Sequence, residues 1–202
     1  DDTLYAMTGY DGALQLLSCT FAEDGSISIG AVEEEPGAAG HLGTSQGRLY
    51  FADNYTGMIY QVGETRTELT TGMDFQISPD GSTMAVLETN LVESEQVLTS
   101  LKLYDMVSGE SSAIVEDADI ASFAFSPSGS TLYYTDAAIG EDTVDGYVFG
   151  LYACDTISGE TKLLAFSSTG DIAVGASGEI YLIQYFSDAE NSFYATYQYD
   201  LS

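Results

Sequence analysis

The chain has 202 residues, 45% of them hydrophobic and 12% aromatic, and sets 32 acids against four basic residues for a net charge of −28. So much apolar content excludes a disordered chain. Arg48, Arg66, Lys102 and Lys162 are too few to displace the counterions of a nucleic acid or to hold an anionic membrane surface, and no segment approaches the ~20 apolar residues of a membrane-spanning helix.

In chain order, residues 1–31 read as three short strands, at 4–7, 14–19 and 26–29. Leu16, Leu17, Ser18 and Cys19 superficially have the form of a lipoprotein processing box. The residues before them bring two leading acids, no basic residue and no long apolar run, so Cys19 is read as a strand residue. The start at Asp1 without methionine fits a processed chain, a trimmed one or an excised domain alike; together with the scarcity of basic residues it favours a bacterial protein outside the cytoplasm: secreted, cell-surface or periplasmic. Residues 40–72 form a second unit: a strand and turn over 42–47, then strands at 48–52, 58–62 and 67–70.

The third and fourth units, 73–118 and 119–168, repeat each other. Phe75, Ser78, Pro79, Asp80 and Gly81 recur 48 residues later as Phe123, Ser126, Pro127, Ser128 and Gly129. Proline presets φ, the aspartate bonds to nearby backbone and the glycine accepts a positive φ, which is hairpin-turn chemistry. A strand follows each turn, at 83–87 and 131–135. A second turn then recurs as Asp105, Ser108, Gly109 and Glu110 and as Asp155, Ser158, Gly159 and Glu160, each followed by a short strand. A fifth unit, 170–202, supplies strands at 172–174, 179–184 and 193–199. This period suits a four-stranded blade, and no stretch has helical periodicity. An immunoglobulin-like sandwich would not repeat its turn at a fixed offset.

The expected fold class is therefore all-β, a β-propeller of four-stranded antiparallel blades. With strands lettered A to D from the axis outward, the chain reads BCD, ABCD, ABCD, ABCD, ABC, as one domain or as the C-terminal portion of a larger ring. Another chain or further N-terminal blades would complete such a ring. Cys19, Tyr104, Cys154 and Tyr199 occupy equivalent places on C strands, and the two cysteines are expected as buried, reduced thiols.

The Phe-x-x-Ser-Pro-Asp/Ser-Gly repeats resemble the WD-repeat-like blades of TolB-type propellers and the propeller domains of prolyl-oligopeptidase-type enzymes. The resemblance covers nearly the whole chain, although the Trp-Asp dipeptide of true WD repeats is absent. It implies blade architecture. Propellers host enzymes, receptors and scaffolds alike.

No catalytic residues are assigned. The only histidine, His41, lies in a Gly-rich segment with no nucleophile elbow to serve, and is expected on a loop or on strand A, bonded to backbone. No cofactor is expected; the one metal candidate is calcium at Glu141, Asp142 and Asp145, an acidic loop with oxygen ligands but without the spacing of an EF-hand.

In such blades the A–B and C–D turns share one end, and the B–C and D–A connections share the other. The second set is long and variable here, with B–C loops at 88–96, 137–147 and 186–192 and D–A segments at 32–41 and 116–120. It is rich in acids, among them Glu93, Glu95, Asp142, Asp145, Asp188 and Glu190. Variable loops on a rigid scaffold are where binding resides. The expected function is thus a non-catalytic module that binds a protein or peptide, a basic one by charge, through this end. The alternatives are an accessory propeller of a larger hydrolase or peptidase, and a carbohydrate-binding module using Tyr185, Phe186, Phe193, Tyr194 and Tyr197.

Overall fold

The computed structural model describes residues 3–10, 13–36, 39–63, 65–91, 97–137, 149–187 and 192–199. Two compact units divide the chain, 1–75 and 76–202.

In the first unit, β1 (Thr3–Tyr10), β2 (Ala13–Phe21) and β3 (Ile27–Pro36) pair in sequence order as a three-stranded antiparallel sheet. A four-stranded sheet follows: β4 (Ala39–Ser45), β5 (Arg48–Asp53), β6 (Met58–Val62) and β7 (Thr67–Thr71). Leu16 of the first sheet packs with Leu49, Phe51 and Tyr60 of the second. Phe51 stacks on Tyr60 at 5.2 Å, and the Arg66 guanidinium lies 4.3 Å from the Tyr60 ring centroid.

The second unit holds three sheets. β8 (Asp74–Ile77), whose first two residues belong to the first unit, joins β9 (Thr83–Leu91), β10 (Val97–Asp105) and β11 (Ser111–Ala118). β12 (Ile120–Phe125), β13 (Thr131–Asp136), β14 (Phe149–Asp155) and β15 (Thr161–Ser167) form the next sheet, and β16 (Asp171–Val174), β17 (Ile180–Ser187) and β18 (Ser192–Tyr199) the last. Ala85, Leu101 and Leu103 of one sheet bury against Phe123, Phe125, Leu132, Tyr134 and Cys154 of the next. Ala124 and Leu151 in turn bury against Ile172 and Ile180.

These five sheets are the blades of an all-β propeller, with the strand complement BCD, ABCD, ABCD, ABCD, ABC that the repeats predict. No helix occurs among the described residues, so none is long and apolar enough to cross a membrane. Register confirms the equivalence of the C strands: Cys19 faces Leu4, Tyr104 faces Met84, Cys154 faces Leu132 and Tyr199 faces Ile180. Both cysteines are free; Cys154 is buried as expected, whereas Cys19 is only partly so.

The strands run further than the loops read from sequence allow. β3 extends through Glu33, Glu34 and Glu35, which lie opposite Leu16, Gln15 and Leu14, and β9 reaches Leu91. A two-stranded ladder can carry acids beyond the core because one edge stays hydrated, so charge marks a loop less reliably than Gly or Pro does.

The turns explain why the repeats are spaced as they are. The Ser78 hydroxyl donates to the Asp80 carboxylate at 2.7 Å and accepts the Thr83 amide at 3.0 Å. In the C–D hairpins the Asp105 carboxylate accepts the amides of Val107 and Ser108, and Asp155 accepts those of Ile157 and Ser158. Gly109 and Gly159 close these turns at φ near +75°, a conformation costly for any residue with a Cβ. The amide bonds, Ser108 and Ser158 first, hold both carboxyls below the usual 3.8. Their contribution to stability is therefore present above pH 3.8 and is lost as pH falls through the depressed values.

Tyr134 stacks on Tyr152 at 5.0 Å and is buried. Burial, above all, pushes its phenol up to about 12 from 10.0. The associated stability is fully present below pH 10 and is lost as pH rises toward 12, a loss of about 2–3 kcal/mol. Burial raises the Tyr152 phenol as well, so tyrosinate absorbance during alkaline titration should show a late phase that Tyr134→Phe diminishes; an unchanged late phase in the variant would overturn the assignment.

Candidate functional site

In the second unit the D–A and B–C connections touch directly. The Asp119 amide, between β11 and β12, donates to the Asp136 carboxylate at 3.1 Å, and the Ala137 amide donates back to the Asp119 carbonyl at 2.9 Å. Thr99 reinforces the junction by donating to the Ala118 carbonyl and accepting the Ile120 amide, both at 3.0 Å. One blade later, the Thr169 hydroxyl donates to the Ile183 carbonyl at 2.5 Å. Short polar side chains thus tie Ala118, Asp119 and Ile120 to neighbouring strand ends.

Beside this junction lies a cavity of about 520 Å³ lined by Glu88, Ser100, Lys102, Ser111, Ala113, Glu116 and Asp117. Its lining carries three carboxylates, Glu88, Glu116 and Asp117, and one cation, Lys102, whose Nζ lies 2.5 Å from Glu88. Asp117 has φ +52°, a conformation that Asp and Asn tolerate better than other side chains. The cavity suits a cationic group such as a lysine or arginine side chain.

A different polar pair stands in the first unit. His41, on β4, places Nδ1 3.0 Å from Oδ1 of Asp74, and both side chains are 43% exposed. The His41 ring meets Phe75 edge-on at 5.0 Å. A Cβ on Gly43 would lie 2.8 Å from the Phe75 ring, so that glycine admits the aromatic. The histidine is thus on strand A as expected, but its partner is a carboxylate rather than backbone. An Asp74-held Nδ1–H would leave Nε2 as an acceptor, the geometry of a general base.

The six acids chosen from sequence as binding residues, Glu93, Glu95, Asp142, Asp145, Asp188 and Glu190, lie outside the described residues, as does the calcium candidate Glu141. Among the described residues no group of three or more His, Cys, Asp or Glu is placed to hold a metal. Of the aromatic set, Phe193, Tyr194 and Tyr197 are exposed on β18; Tyr185 and Phe186 lie opposite Tyr194 and Phe193 in the β17–β18 register. Sequence reading missed Glu88, Lys102, Asp136 and Asp74. The signal for Asp74 was available: it precedes Phe75 as Ser122 precedes the repeated Phe123.

The blade order and turn chemistry can be set against solved structures. TolB from Acinetobacter baumannii aligns over 97% of this chain with a TM-score of 0.65 and 17% identity. The fold is a TolB-like propeller. Porphyromonas gingivalis dipeptidyl peptidase 4 aligns over 98% with a TM-score of 0.62 and 13% identity. The β-propeller domain of the Trilobed protease from Pyrococcus furiosus aligns over 97% with a TM-score of 0.50 and 13% identity. The propeller chain spans 50% of the TolB chain, 36% of the dipeptidyl peptidase and 55% of the Trilobed protease domain. No protein-family profile matches the sequence, and no curated protein matches it.

Proposed function

We propose that the protein is a non-catalytic propeller module, working outside the cytoplasm, that captures a basic protein or peptide through the acidic B–C/D–A end of its blades. The observation that carries this reading is the pinned junction of Asp119 and Asp136 beside a cavity whose one lysine is already paired with Glu88. A rigid acidic surface on a chain of net charge −28 attracts cationic partners and speeds their encounter.

A lysine-rich decapeptide should bind saturably, with affinity that falls as salt rises. Replacing Glu93, Glu95 and Glu116 by Gln and Asp117, Asp142 and Asp145 by Asn should weaken it about tenfold or more. Replacing Glu23, Glu110 and Glu160, on the C–D turns, by Gln should change it little. Equal losses from both sets would mean that the whole acidic surface binds the peptide, and the reading would fail.

The likeness to dipeptidyl peptidase 4 and to the Trilobed protease propeller favours a second reading, an accessory propeller of a larger hydrolase. A hydrolase segment encoded in the same reading frame would support it.

A further inference from the structure

Two aliphatic side chains stand where turn chemistry does not favour them. Val107 and Ile157 hold the same place in the C–D turns of β10–β11 and β14–β15, two residues after Asp105 and Asp155, and they are 90% and 92% exposed. No other large apolar side chain among the described residues is so exposed. Exposed turns favour Gly, Asn, Asp and Ser, and β-branched residues favour strands. The C–D turn of the first sheet follows that rule, with Ala22, Glu23, Asp24, Gly25 and Ser26 between β2 and β3. A lone exposed aliphatic residue is ordinary, but the same feature in successive blades is a pattern.

Both tips are held in place. The Met106 amide donates to the Ser82 carbonyl at 2.9 Å, and the Thr156 amide to the Ser130 carbonyl at 3.1 Å. The Thr156 hydroxyl adds a bond to the Gly129 carbonyl at 3.0 Å. Each C–D turn is thereby fastened to the A–B turn of its own blade. Those A–B turns meet as well, since a Cβ on Gly129 would lie 3.5 Å from Pro79 Cδ. The tips also share one surface: Ser108, next to Val107, and Thr156, next to Ile157, line the same cavity of about 240 Å³. Side chains fixed before contact lose little freedom on binding, which suits them as anchors. Residues 105–110 and 155–160 carry four exposed acids, Asp105, Glu110, Asp155 and Glu160, and no cation.

We propose that Val107 and Ile157 are paired anchors of a second docking surface, at the C–D end of the blades, for a partner protein that offers two apolar sockets rimmed by lysine or arginine. Burial of the tips supplies the affinity, and the carboxylates select the sign of the rim and speed encounter. Convex tips do not bury one another, and a second copy of the chain brings the same charge of −28, so the partner is a different protein. This surface is separate from the acidic end, and a lysine-rich peptide without sockets gains nothing from its anchors.

β-Cyclodextrin aminated at its primary rim is an apolar socket edged by ammonium groups. Titrated into the intact protein, it should shift the methyl NMR signals of Val107 and Ile157 saturably, and neutral β-cyclodextrin should bind there about tenfold more weakly. Two aminated hosts joined by a flexible linker should bind about tenfold or more tighter than one, read from the same signals. Val107→Ser and Ile157→Ser, each at an exposed tip and so expected to leave the fold intact, should each abolish that gain at the remaining methyl. Glu116→Gln with Asp117→Asn should leave it unchanged, so that failure here and failure of the acidic-end reading can be told apart. The proposal is overturned if neither methyl shifts, if the linked host binds no tighter than the single one, or if either serine variant keeps the gain. Methyl signals that respond to phosphatidylcholine vesicles and not to the aminated host would assign the tips to a membrane and overturn it too.

Discussion

Leu101→Ala is expected to lower the unfolding free energy by about 2–5 kcal/mol, whereas Thr196→Ala should change it by less than about 0.5 kcal/mol. The two residues hold the same place on their C strands, three before Tyr104 and Tyr199. Leu16, Ile59, Leu101 and Leu151 fill that place in the other blades, and all four are fully buried. Leu101 and Leu151 pack into the apolar layer shared with the following blade, so truncation leaves a cavity that neighbouring sheets cannot close. Thr196 is exposed and no following blade is described beyond it. Urea denaturation followed by tyrosine fluorescence would measure both variants. Equal effects would mean that register does not decide burial here.

Gly170→Ala should cost about 1–3 kcal/mol through overpacking. An added Cβ would sit 2.5 Å from the Ala121 Cβ and 2.7 Å from the Phe149 ring. The backbone has little room to retreat, because the fully buried Thr135 donates its hydroxyl to the Gly170 carbonyl. Ala121 is itself exposed, so Ala121→Gly removes one side of the clash without opening a core. The double variant Gly170→Ala/Ala121→Gly should recover part of the loss. A double-mutant cycle with no coupling would show that the strain lies in Phe149 alone.

The blade order was legible from sequence because its markers are local. Ser78, Pro79, Asp80 and Gly81 state a turn, and their recurrence 48 residues later states a repeat. Even the partial first and last blades followed, since Leu4 and Tyr199 could be aligned to internal copies. Strand ends were less legible: Glu33, Glu34 and Glu35 look like loop residues but extend a ladder, because pairing depends on backbone as well as on side-chain polarity. The pairings of His41 with Asp74 and of Lys102 with Glu88 were hidden for a different reason. Each joins residues on separate strands, and with 32 acids available composition could not single out the right carboxylate. The acids chosen from the B–C loops lie outside the described residues, whereas the D–A acid Asp119 is anchored through its backbone to Asp136 and Ala137.

Every ladder in the five sheets joins strands that are neighbours in sequence. That meander bears on how the chain acquires its structure, not only on what it becomes. Loop closure is the entropic toll on β-sheet formation, and here each pairing closes only a hairpin, an event of about 1–10 μs in isolation. The aspartate-capped turns at Asp105 and Asp155 restrict those hairpins before any blade stacks on another. Synthesis runs at roughly 5–20 residues per second, far slower than hairpin closure. The sheet of β4 to β7 can therefore zip while the residues after 75 are still being made, and the nascent protein need never expose more than about one blade's worth of unpaired edge.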